Sequence, residues 1–162
     1  MIDLRELLGT LVRHRVEFLI VGGVAASMHG SARVTQDLDV VYARGESNLR
    51  RLVAALRRRH PYPRGAPRGL PFSWDADTLR RGLNFTLRTD HGDLDLFGEI
   101  PGGGIYRDLL PHTLEVEVFG LRCRCLDLET LIRVKRAAGR PRDLEAIAEL
   151  HVIREERGDT DE

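Results

Sequence analysis

Apolar and polar positions change their spacing several times along the chain, and each change marks an element. From Ile2 to His14 the apolar positions recur at helical spacing, which predicts an amphipathic first helix. Val16 to Gly23, VEFLIVGG, is a β-branched and aromatic run ending in glycine, so a buried strand and a turn are expected. Val24 to Gly30 reads as a short helix closed by Gly30, and Asp37 to Ala43, DLDVVYA, as a strand. Ser47 is placed to cap a helix reaching about His60, with Leu49, Leu52, Val53 and Leu56 on one face.

The second half is built from hairpins and helices. Pro61 to Pro71, PYPRGAPRGLP, is too rich in proline and glycine for regular structure and reads as an exposed, arginine-bearing loop. A short helix around Asp75 to Arg81 precedes Asn84 to Gly98, two strands joined at DHG. After a flexible loop at Pro101 to Gly104, Thr113 to Leu126 alternates on either side of Gly120 and predicts a second hairpin. Asp127 is placed to cap a helix reaching about Ala138; Gly139 ends it and Pro141 opens a last helix. The terminal EERGDTDE is expected to fray, leaving one domain over 1–157 and a frayed tail over 158–162. The element order predicts a mixed α/β (α+β) chain with a small central sheet flanked by helices.

Composition agrees with a folded domain. At 162 residues, 42% hydrophobic and 31% charged, the chain has enough apolar material for a core and is not of the disordered class. No apolar stretch approaches the roughly 20 residues that span a bilayer. The amphipathic, early-acidic start does not fit an export leader, so a cytoplasmic protein without a membrane partner is expected. Cys123 and Cys125 alternate along one expected strand, where they make poor disulfide partners and too few ligands for a metal, so their expected role is structural.

Charge changes the picture locally. The net charge is zero, yet Lys135 is the single lysine among 25 lysines and arginines. Arginines crowd into Arg50 to Gly69 and Leu79 to Gly82. Genomic bias explains most of the preference for arginine, but a local basic surface on a neutral protein also attracts phosphates. Tyr62, Phe72 and Trp74 flank the arginine-bearing loop, where aromatic rings either stack bases or pack as a satellite core.

The candidate chemistry lies in two acid pairs. In a strand, residues i and i+2 share a face, so Asp37 and Asp39 present both carboxylates side by side while Leu38 and Val40 face the core. The pair would repel without a cation, and hard oxygen ligands suit Mg²⁺. Asp93 and Asp95 in GDLDLFG repeat the design, and if the two strands are neighbours their acids converge. One D-x-D is more often a solvated acidic edge; two in one small domain, one after a glycine turn, favour a metal site. Gly22 and Gly23 end a strand and open a helix, where backbone amides can approach an anionic group. They form neither a Walker loop nor a G-x-G-x-x-G fingerprint.

Taken together, the strand, Gly22-Gly23, the short helix with His29-Gly30, and RVTQDLDV resemble the nucleotidyltransferase superfamily that includes DNA polymerase beta. The later GDLDLF and the stretch Gly120 to Leu150 are similar to its minimal bacterial branch of AbiEii- and MenT-type toxins. The resemblance implies a nucleotidyltransferase fold with its C-terminal helices packed alongside the sheet. It implies Asp37 and Asp39 as the metal-binding pair, Asp95 as the third acid with Asp93 second, and Gly22 and Gly23 as the phosphate-cradling turn. Arg33 and Thr35 are implied in the nucleotide site, beside the alternative of a solvated Arg33 and a Thr35 that packs the turn, and Lys135 near the nucleotide phosphates. Asp143 is a partner for Lys135 or Arg140, or a plain helix-start acid.

His29 has either a nucleotide contact or, preferably, a packing role at a helix end. Mg²⁺, or Mn²⁺ in its place, is the implied cofactor and a nucleoside triphosphate the implied substrate. The 3′ end of tRNA, or another RNA, is the implied acceptor, with Arg57 to Arg68 and Arg80 to Arg81 as landing surface, and a cognate antitoxin protein is an implied partner. The rivals are a small-molecule nucleotidyltransferase of the antibiotic-modifying kind and a non-catalytic nucleotide-binding module.

Overall fold

The computed structural model describes residues 1–160, with side chains through residue 158. The chain opens with α1 (Leu4–Arg13), β1 (Phe18–Val21), α2 (Gly22–Met28), β2 (Asp37–Tyr42) and α3 (Glu46–Leu56). A 3₁₀ turn at Arg57–Arg59 leads to β3 (Tyr62–Pro63), α4 (Ala76–Arg81) and the hairpin of β4 (Asn84–Thr89) and β5 (Gly92–Phe97). A small ribbon, β6 (Glu99–Ile100) and β7 (Gly104–Ile105), precedes α5 (Tyr106–Leu109) and a second 3₁₀ turn at Leu110–His112. The hairpin of β8 (Thr113–Val118) and β9 (Leu121–Leu126) is followed by α6 (Leu128–Ala138) and α7 (Pro141–Thr160).

Seven strands form one mixed sheet in the order β3-β4-β5-β2-β1-β9-β8. β2 runs parallel to β5 and β1 parallel to β9, while the other neighbours are antiparallel. Alternation along β2 sends Leu38, Val40 and Tyr42 to one face, all fully buried. α1 and α3 pack together on that side, tied where the Thr10 hydroxyl donates to the Ala55 carbonyl at 2.6 Å. Buried Asn48 closes the end of this layer: its amide oxygen accepts from the Glu17 N–H at 2.7 Å, and its NH₂ donates to the Glu17 and Ala43 carbonyls. On the opposite face α2 packs on β1 and β2 and against α6, which in turn carries α7. Over β4 that second face stays open: Thr86 and Arg88 are exposed, whereas Leu87 between them is buried.

Several expectations are corrected in detail. Ser47 does not cap α3; it lies inside a helix that begins at Glu46, with Gly45 as the flanking residue. Pro61 to Pro71 is not simply an exposed loop. Tyr62 and Pro63 pair with Arg88 and Leu87 and add an edge strand, the place in a sheet where proline is tolerated. The aromatics around it pack: Tyr62 meets Phe72 edge-on at 6.0 Å, and the Trp74 indole N–H donates to the Val53 carbonyl at 3.0 Å. α6 is capped by the Asp127 carboxylate, which accepts from the Thr130 N–H at 2.8 Å, and Gly139 ends it in the left-handed region. α7 continues through Thr160, and the rest of the tail expected to fray, 161–162, lies outside the described residues. Cys123 and Cys125 are free, buried thiols. Among the described residues no helix is long and apolar enough to cross a membrane.

Candidate functional site

Parallel pairing of β2 with β5 puts Asp37 opposite Asp93 and Asp39 opposite Asp95. Four carboxylates therefore share one sheet face, and Asp37, Asp39 and Asp95 each offer an oxygen within 4.8 Å of the others. Water cannot screen this group fully. Burial, with the Asp37 and Asp95 charges added to it, pushes the Asp39 carboxyl up to about 8, against a weaker opposing pull from Lys135. Burial also raises Asp95, although Arg64 opposes the shift. Asp39 Oδ1 is buried with no hydrogen-bond partner. An orphaned, buried oxygen beside two further carboxylates is a donor set that fits a hard divalent cation.

The glycine turn is fitted to this group. Gly22, at φ +66°, follows β1, whose last residue Val21 pairs with Asp39. A Cβ at Gly22 would collide with the Asp39 carboxylate, and one at Gly23 with the Thr35 methyl. Gly-Gly is a steric requirement at this junction, because α2 starts directly over the acids.

Cations line the other side. A cavity of about 270 Å³ is walled by Asp37, Asp39 and Asp95 on one flank and by Arg33, Lys135, Arg140 and Arg142 on others. Lys135 projects from α6, and burial lowers its ammonium from the ordinary range, an effect opposed by Asp143. Asp143, nearly inaccessible, accepts from Arg140 Nε at 2.8 Å and lies 3.9 Å from the Lys135 ammonium. One carboxylate thus fixes two cations at the helix junction. Asp39 and Lys135 also border a second, more apolar cavity of about 340 Å³, which Gly22, Phe97, Ile100, Leu131 and Val134 complete.

Most of the sequence candidates are brought together here. Gly23, Arg33, Asp37, Asp39, Asp95, Lys135 and Asp143 line one cavity, Gly22 lines its neighbour, and Thr35 packs on Gly23. Arg33 is partly engaged by Glu145 and Glu149 at 3.6 and 3.7 Å. Asp93 stands beside the group on the strand but does not line the cavity. Both of the roles weighed for Asp143 coincide, since it starts α7 and holds Lys135 and Arg140. His29 is buried, one ring nitrogen 2.7 Å from the Leu126 carbonyl, which is its packing role.

The arginine surface needs correction. Arg80 is committed to Glu46 and Asp77, Arg81 to Asp77, and Arg59 to Glu6. Arg64 turns inward and pairs with the acids: with Asp95, with Asp93 at 3.5 Å and with Asp37 at 3.9 Å. Sequence reading missed this pairing, because nothing in PYPRGAPRG announces a strand that aims Arg64 at β5. It also left Arg142 out of the site, although the closeness of Arg140 and Arg142 to Lys135 was a usable signal.

No family model and no curated protein sequence matches the chain. Solved structures do. TM1012 from Thermotoga maritima, provisionally described as a nucleotidyltransferase, is similar at 17% identity over 92% of this chain and 94% of its own, with a TM-score of 0.58. The antibiotic-resistance factor ANT(2'')-Ia is similar in its solution structure at 16% identity, 96% and 89% coverage and a TM-score of 0.55. Its crystal structure in complex with adenylyl-2''-tobramycin is similar at 15% identity, 98% and 96% coverage and a TM-score of 0.54. The chain has the nucleotidyltransferase fold, as the resemblance of its motifs implied.

The buried carboxyl sets a pH dependence. In the metal-free protein, folded Asp39 keeps its proton up to about 8, whereas the unfolded chain releases it near 3.8. Between those values the native state binds the extra proton, so stability from this group falls as pH rises and levels off above about 8. Melting curves in EDTA from pH 5 to about 8.5 should show this decline in the parent and a flatter profile in Asp39→Asn. Parallel profiles for the two proteins would contradict the assignment.

Proposed function

We propose that the chain is a Mg²⁺-dependent nucleotidyltransferase that moves a nucleoside monophosphate from a nucleoside triphosphate to an acceptor hydroxyl. The observation that carries this reading is the juxtaposition in one cavity of three convergent carboxylates, one with a buried unpartnered oxygen, and the cations Lys135, Arg140 and Arg142. Carboxylates alone would suit many cations. Carboxylates facing a fixed basic wall suit a metal-bound polyphosphate.

In the reaction, the acceptor oxygen bonds to the α-phosphorus, the bond from that phosphorus to the bridging oxygen breaks, and pyrophosphate leaves with the electron pair. Asp37, Asp39 and Asp95 would hold Mg²⁺, which would supply the charge that activates the hydroxyl and steadies the leaving group. Asp37 and Asp39 serve the triphosphate side; Asp95, one strand further out, faces the acceptor and takes or relays its proton. Lys135 and Arg140, held by Asp143, position the outer phosphates, with Arg33 at the cavity rim and Arg142 completing its basic wall. Gly22 and Gly23 let the backbone close on the acid pair, and Thr35 seats the turn.

RNA, with the 3′ end of tRNA foremost, is the proposed acceptor, and a toxin balanced by an antitoxin protein is the proposed setting. The support is the open face beyond Asp95, where Thr86 and Arg88 follow on β4 and Tyr62 on β3. Arg57, Arg58, Arg68 and Arg88 are exposed with no acidic partner among the described residues; of these, Arg68 and Arg88 border one cavity with Tyr62 and are the revised landing surface. A small-molecule acceptor is the second reading, favoured by the likeness to ANT(2'')-Ia. A cationic drug would meet Arg64, Arg68 and Arg88 there, which counts against it.

Two tests follow from this geometry. With labelled nucleoside triphosphates, Mg²⁺ and total RNA, Asp95→Asn should lose at least ~100-fold in transfer while still binding nucleotide, and Asp93→Asn should lose far less. The reverse order would show that the third acid is two residues away. Replacing both Arg68 and Arg88 with glutamine should raise the KM for RNA and flatten its log–log salt slope by roughly 0.7 for each phosphate that is no longer neutralised. Unchanged RNA kinetics, with label passing to a small aminoglycoside instead, would make the second reading correct.

A further inference from the structure

Arg64 is the residue whose place is least expected. Its guanidinium pairs with Asp95, Asp93 and Asp37, and its Nε is buried without a partner. It does not pair with Asp39, whose Oδ1 stays unpartnered. The Arg64 N–H donates to the Thr86 carbonyl at 2.9 Å, which anchors the backbone at the edge of β4. Immediately after it, Gly65 at φ +81° starts a turn with open space around the position a Cβ would take. The backbone at Arg64 is thus held to the sheet, and its side chain, 24% exposed, reaches the acids from the sheet edge.

A guanidinium and a divalent cation compete for the same carboxylate oxygens. We propose that Arg64 is the resident counter-ion of the acid group, exchanged for metal at Asp95. With Arg64 seated, Asp37 and Asp39 remain able to take a cation, because Asp39 is untouched and the Asp37 contact is long. Asp95 becomes a ligand only when Arg64 withdraws. The guanidinium then joins Arg68 and Arg88 on the open face, where a phosphate of the acceptor is its replacement partner. Arg64 thereby acts as a positioning residue, coupling completion of the site to arrival of an anionic acceptor. The role of the acceptor rests on the nucleotidyltransferase reading; the exchange itself rests on the acid group.

Mn²⁺ binding to the whole chain, without nucleotide or acceptor, tests the exchange by titration calorimetry and by the electron paramagnetic resonance of free Mn²⁺. Arg64→Gln should bind Mn²⁺ about tenfold more tightly than the parent, since one competing positive charge within about 4 Å is removed. It should also take up a second equivalent at lower concentration. In EDTA it should melt below the parent, and Mn²⁺ should raise its Tm by more. Arg64→Lys keeps a charge on a shorter reach and should fall between the two. Arg50→Gln, which removes a charge remote from the acids, should match the parent.

Equal Mn²⁺ affinity in the parent, Arg64→Gln and Arg64→Lys would overturn the exchange and leave the metal site standing. An equal gain in Arg50→Gln would overturn it too, by showing a general charge effect. Failure of Mn²⁺ to bind any of these proteins would overturn the metal site itself, and the proposed reaction with it.

Discussion

Four carboxylates on adjacent parallel strands repel one another unless positive charge stands among them, and the surroundings of the sheet answer that constraint. The register of β2 with β5 brings Asp37, Asp39, Asp93 and Asp95 together. Burial then makes the repulsion costly enough to hold Asp39 protonated to about 8. Arg64 reaches in from the sheet edge, and Lys135 reaches over from α6. The same requirement explains the glycine at the end of β1, since any side chain at Gly22 would occupy the space of the Asp39 carboxylate.

The rest of the fold divides labour around this group. One face of the sheet is closed by α1 and α3 over Leu38, Val40 and Tyr42, and supplies rigidity. The other is closed by α2 over β1, β2 and β9 but stays open over β4, so the acids stand at the boundary between a helical wall and an open surface. On the helical side, Asp143 holds Lys135 and Arg140 in place beside the cavity. On the open side, arginines without acidic partners lie beyond Asp95. The asymmetry gives the site one closed side and one open side, which the proposed reaction assigns to donor and acceptor.

Local signals made much of this legible in the sequence. The strand ending in Gly22-Gly23, the two D-L-D segments, the capped α6 and the Gly139–Pro141 junction each carry their reason within a few residues. The clustering of Asp37, Asp39 and Asp95 needed only one further fact, that β2 and β5 are neighbours, and Lys135 joins them because α6 packs on α2. What escaped reading depends on pairing across long separations. β3 is two residues long and includes a proline, so no periodicity reveals it, yet it alone aims Arg64 at the acids. The commitment of Arg80 to Glu46 was hidden in the same way, because Glu46 lies on a different helix, whereas the pairs of Arg80 and Arg81 with Asp77 are local to α4 and were open to reading from their spacing. Ser47 was misread as a cap because a good capping residue stood two residues past the actual N-cap, Gly45.

The central claim is that the acid group holds a divalent cation which, with Lys135 and Arg140, binds a triphosphate. Its most direct measurement is anomalous scattering from crystals grown with Mn²⁺ and a non-hydrolysable nucleoside triphosphate. A manganese peak between the Asp37 and Asp39 carboxylates, with the triphosphate in the cavity beside Lys135 and Arg140, is the predicted result. Manganese absent from those carboxylates, or a triphosphate bound instead on the open face by Arg68 and Arg88, would contradict it.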